Sequence, residues 1–126
     1  TEDGVAALVT KYRAIRETKT TAVIYILYLH QATENTTEVG STHKEDGIVI
    51  FNDALDMFAG NGEKIRQAYE FSTLLHEFGH QLKLPHNDLE GCLMNEQVEP
   101  DHIAKIQARD ILVDFCDAEK ALMKIQ

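Results

Sequence analysis

The chain has 126 residues, 44% hydrophobic and 26% charged, with a formal net charge of −9. That length supports one domain over 1–126 with a single core, and the acidic balance argues against nucleic acid or an anionic membrane as partner, since both are held by basic patches. No apolar run reaches the roughly 18 residues of a membrane span, and the acidic start "TEDGVAAL" does not read as a signal peptide, which leans to a cytoplasmic location without excluding a secreted mature form.

Val5, Leu8, Val9, Tyr12 and Ile15 recur at three- and four-residue spacing and predict an amphipathic helix from about Asp3 to Glu17. Ala22 to Leu29, "AVIYILYL", is β-branched, aromatic and continuously apolar, as in a central strand covered on both faces. Thr37 to His43 reads as a short exposed strand with a glycine at its middle. Ile48 to Phe51, "IVIF", reads as a second buried strand, and Asn61-Gly62 as a turn.

Glu63 to Lys83 reads as one long helix, with Ile65, Ala68, Ser72, Leu75, Gly79 and Leu82 along one face and Phe71, Leu74 and Phe78 widening it. After an irregular stretch, Glu99-Pro100 opens a last helix whose stripe is Ala104, Ala108, Ile111, Leu112, Phe115 and Leu122. A helix followed by buried strands predicts an α/β (α+β) fold of layered helices and sheet. Cys92 and Cys116 either pair or stay as free thiols.

The chemistry concentrates in "HEFGHQLKLPH", His76 to His86. Residues four apart on a helix lie about 40° apart around its axis and one turn along it, so His76 and His80 can reach one ion. Glu77 is about 100° away from His76, placed beside such an ion rather than on it. A helix ending near Lys83, before Pro85, lets the chain turn and return His86 to the same ion. Three protein ligands with one open position are what a catalytic zinc uses, so one Zn²⁺ on His76, His80 and His86 is the expectation.

These residues resemble the metzincin clan of zinc metallopeptidases, whose pattern is H-E-x-x-H-x-x-G-x-x-H followed by a Met-turn. His76, Glu77, His80 and His86 fall in its register, and "CLMN", Cys92 to Asn95, places Met94 as the Met-turn methionine. The resemblance implies a zincin-like domain: a small mixed β-sheet, an active-site helix, a Met-turn and a C-terminal helix. It also implies an endopeptidase in which Glu77 activates a zinc-bound water and passes its proton to the leaving amine. The antiparallel edge strand, Gly40, Ser41, Thr42 and His43 here, would take an extended peptide or protein substrate. A monomer is the expected state.

The chain departs from the pattern at Lys83, which stands where the family has a glycine, and at Glu96, where many members have a tyrosine. Lys83 then either takes a left-handed turn or the loop to His86 follows another path. "HNDLEGCLM" is similar to the archaemetzincins, in which a cysteine follows the third histidine and a second comes five residues later. Cys92 matches the second, Asn87 replaces the first, and the downstream Cys-x-x-Cys pair is absent, so a second zinc site is not expected.

Two other readings stay open on the sequence. One is a gluzincin-like peptidase whose third ligand is a downstream carboxylate, Glu96, Glu99 or Glu119. The other is a non-catalytic zinc-binding interaction module with a fourth ligand from His43, His30 or Cys92.

Overall fold

The computed structural model describes residues 4, 6–8, 11, 23–30, 38–43, 47–60, 62–95 and 111–124. Positions 4, 6–8 and 11 are helical, and the rest of the expected first helix lies outside the described residues. The fold belongs to the broad α/β class: helices and a three-stranded mixed sheet. No helix among the described residues is long and apolar enough to cross a membrane.

The strands are β1 (Tyr25–Leu29), β2 (Gly40–His43) and β3 (Gly47–Phe51), in the order β1-β3-β2. β3 runs parallel to β1 and antiparallel to β2. Every residue of β3 is buried, because it is flanked by a strand on each side and covered on both faces. The central position therefore belongs to "GIVIF" and not to the longer run before it. β1 is an edge strand among the described residues, begins three residues later than expected, and alternates. Its Ile26 and Tyr28 remain 44% and 47% exposed.

Helix α1 (Asn52–Ala59) leaves β3 directly, with Asp53 in its first turn, and ends at Gly60, where φ is 59°. Its buried Ala54, Leu55 and Ala59 form one face, a stripe too short to stand out as helical periodicity. Helix α2 (Glu63–Gln81) packs against β2 and β3. There Ile65, Ala68, Leu74 and Phe78 join Ile48, Ile50, Leu55, Tyr69 and Ile111 in the main core. Phe71 faces out instead of widening that stripe. Arg66 ties the two helices through Asp56 (2.6 Å) and Asn52 (3.0 Å), and pairs along α2 with Glu70 (3.2 Å). Such partly exposed pairs contribute at most about 1 kcal/mol each.

The C-terminal region departs from expectation. Residues 111–116 are not helical, and helix α3 runs only Asp117–Lys124. The expected stretch 96–110 lies outside the described residues. Cys116, next to the start of α3, is disulfide-bonded to Cys92, with Cα atoms 5.0 Å apart. This resolves the two cysteines as a pair, which fastens α3 to the 84–95 segment.

Candidate metal centre

α2 carries His76 and His80 one turn apart, as their spacing requires. The helix then ends in a left-handed turn at Lys83, whose φ is 68°. Lys83 N–H donates to His80 O at 3.0 Å and Leu84 N–H to Gly79 O at 3.0 Å. These are the paired bonds of a Schellman cap, in which the left-handed residue is usually glycine. Lysine thus fills the left-handed position that glycine usually takes. Leu84, the residue after it, is buried and anchors the reversal.

A left-handed non-glycine residue costs about 1–2 kcal/mol, and the greater freedom of an unfolded glycine returns about 0.4–1 kcal/mol of that. Lys83→Gly should therefore raise the stability of the metal-free chain by about 0.5–1 kcal/mol, a few degrees in Tm. A thermal melt with no rise would mean that contacts of the lysine side chain outweigh the strain.

The reversal brings His86 onto the other two histidines. Its Nε2 lies 3.1 Å from Nε2 of His76 and 3.0 Å from Nε2 of His80. The opposite ring nitrogens are tied to backbone: His76 Nδ1–H donates to Leu93 O at 2.8 Å, and His80 Nδ1–H to Leu84 O at 3.0 Å. A carbonyl only accepts, so in the neutral rings of both the proton sits on Nδ1 and Nε2 presents a lone pair. His86 can meet them in either tautomer: an Nε2–H would donate to one of these lone pairs, and a bare Nε2 adds a third lone pair, the form that ligates a metal. The three histidines form a group able to hold a metal ion.

The remaining ligand candidates fall elsewhere. Glu119 is buried behind the 92–95 turn, with its oxygens committed to N–H groups. Cys92 is in the disulfide, and exposed His30 sits 3.7 Å from Asp53. His43 is buried at the end of β2 and does not join the histidine group. Glu96 and Glu99 lie outside the described residues.

Glu77 points from α2 toward β2 and is 7% exposed. The Thr42 hydroxyl donates to Glu77 Oε2, and Glu77 O lies 3.1 Å from the same hydroxyl oxygen. Gly40 permits this approach: a Cβ there would stand 2.5 Å from Thr73 Cγ2 and 3.4 Å from Glu77 Oε1. β2 is thus both an edge strand among the described residues and the wall that seats the glutamate. That second role has no sequence signature, because Thr42 and Glu77 are 35 positions apart.

Below the helix, Met94 is fully buried against Gly79. The turn carrying it is closed by Asn95 N–H to Cys92 O (3.2 Å) and joined to the histidine loop by Asn87 N–H to Met94 O (3.1 Å). A Cβ at Gly79 would lie 2.5 Å from Met94 Sδ and 3.0 Å from Phe115 Cε1. Alanine gains about 1 kcal/mol of helix propensity over glycine, whereas overpacking a filled core costs about 1–3 kcal/mol. Gly79→Ala should be net destabilising in urea unfolding, and a stabilised variant would show that Met94 has room to move.

No family model matches the chain, and neither does any curated protein or solved structure.

Proposed function

We propose that the chain is a zinc-dependent endopeptidase with a zincin-like, metzincin-type catalytic domain. The observation that carries this reading is the convergence of three Nε2 atoms, with Glu77 held next to His76 on the helix that also carries His80. Zn–N bonds of about 2.0–2.1 Å in a tetrahedron set the nitrogens about 3.3 Å apart, so the 3.0–3.1 Å spacings to His86 need open by only a few tenths. Three histidines leave one position for a reacting group, whereas a structural zinc has four protein ligands.

When bound, zinc supplies Lewis acidity at the scissile carbonyl. The protein's own part falls to named groups. His76, His80 and His86 hold the ion. Glu77 takes a proton from the attacking water and returns it to the leaving amine. Thr42 keeps the carboxylate oriented, and the outer edge of β2 offers backbone groups to an extended peptide. The mixed sheet, with an antiparallel edge strand beside the histidine helix, supports the zincin-like assignment. The Cys92–Cys116 bond favours an oxidising compartment over the cytoplasm.

Metal analysis combined with hydrolysis of a peptide library tests the reading. One zinc per chain and cleavage by the wild type are expected. A zinc-loaded chain inert across the library would leave a metal-binding module and end the peptidase reading.

A further inference from the structure

We infer that Glu119, 43 residues from His76 in sequence and not a ligand, is a positioning residue for the histidine site. The inference rests on the metal reading above and not on peptidase activity.

Glu119 is 1% exposed, and among the described residues no cation pairs with it. Burying a carboxylate is costly unless its lone pairs are filled, and here four N–H donors fill them. Oε1 accepts from Met94 N (2.7 Å) and Asn87 Nδ2 (3.1 Å), and Oε2 from Leu93 N (3.2 Å) and Cys116 N (3.0 Å). The last contact is half of a capping box, the third residue of α3 reaching back to the residue before the helix. A capping role alone would leave the other three donors unexplained.

Those three donors lead to the metal centre. Leu93, whose N–H Glu119 holds, offers its carbonyl to His76 Nδ1 at 2.8 Å. Asn87 follows His86 directly, and its backbone bonds Met94. One buried carboxylate thus fixes the acceptor that orients His76 and the residue that follows His86. His80 needs no such brace, since Leu84 of its own helix cap holds it. Direct hydrogen-bond partners of metal-ligating histidines typically change affinity about 10- to 100-fold when lost; Glu119 acts through one such partner, the Leu93 carbonyl, so the low end of that range applies.

The test is zinc and cobalt(II) titration of the full chain, wild type against Glu119→Gln. Glutamine keeps the size but turns an NH₂ group against backbone donors. The expected result is zinc affinity lower by about 10-fold, the low end for a group that acts through a ligand's hydrogen-bond partner, together with an altered cobalt visible spectrum, in protein whose near-UV circular dichroism shows a native fold. A folded variant with wild-type affinity and spectrum overturns the inference and leaves Glu119 as a structural cap. If Glu119→Gln does not fold, Asn87→Ala decides. It removes the amide donor to Glu119 Oε1, and a several-fold loss of affinity supports the brace while an unchanged affinity overturns it. A wild-type chain that binds neither ion overturns the metal reading together with this one; tight wild-type binding with unchanged variants overturns this one alone.

Discussion

Replacing Glu77 by glutamine should lower kcat for peptide hydrolysis by about 10²–10⁴-fold, the range of a lost general base, while the chain keeps its full complement of zinc. The side chain stays the same size, so the packing against Gly40 survives. The amide oxygen can still accept from Thr42, in place of the carboxylate oxygen that does so now. What disappears is the group that can take a proton. Because the three imidazoles, and not Glu77, make up the metal group, metal content and KM should change little. The measurement is kcat and KM on any peptide that the wild type cleaves, with metal analysis of the same preparations. Loss of zinc along with activity would mean that Glu77 acts by holding the site together. Full activity would remove it from the mechanism.

The histidine site was readable from the sequence because its logic is local. A four-residue step on a helix fixes His76 and His80, and a helix end before Pro85 returns His86. The turn itself was less readable: lysine is a poor left-handed residue, and only the φ of 68° shows that burial of Leu84 and two backbone bonds override its preference. The sheet shows the limit of apolar runs. Both 22–29 and 48–51 are continuous enough for a central strand, and pairing alone decides that β3 takes the middle and β1 an edge.

The C-terminal half of the site was the least readable. Spacing suggested one helix through Ile111 to Leu122, yet the disulfide and the turn before Asp117 end that continuity. A carboxylate such as Glu119 is a ligand candidate by residue type alone; its partners are N–H groups 3 to 32 residues away, and only the nearest leaves a local trace, the C-x-x-E spacing from Cys116. Thr42 falls on the expected substrate strand, and no periodic pattern announces its hydrogen bond to Glu77.

His86→Ala should abolish zinc stabilisation without unfolding the chain, and it separates the proposed ligand set from one completed by a downstream carboxylate. Structural zinc sites with four ligands are worth about 10–16 kcal/mol, or about 3–4 kcal/mol for each ligand, so losing one of three should weaken binding at least about 10²-fold. His76 and His80 keep their carbonyl partners, Leu93 and Leu84, in the variant. His86 is exposed, so the metal-free melting temperature should hardly move. At zinc 100-fold above the wild-type Kd, binding stabilises the wild type by about 2.7 kcal/mol, on the order of 10 °C for a domain of this size. The same zinc concentration would then be no more than about equal to the variant's Kd, leaving about 0.4 kcal/mol or less. Thermal melts with and without zinc read this difference directly. If His86→Ala keeps the wild-type shift, the third ligand is another group and the triad as assigned is wrong; if His80→Ala and His86→Ala both lose it, both histidines belong to the same ion.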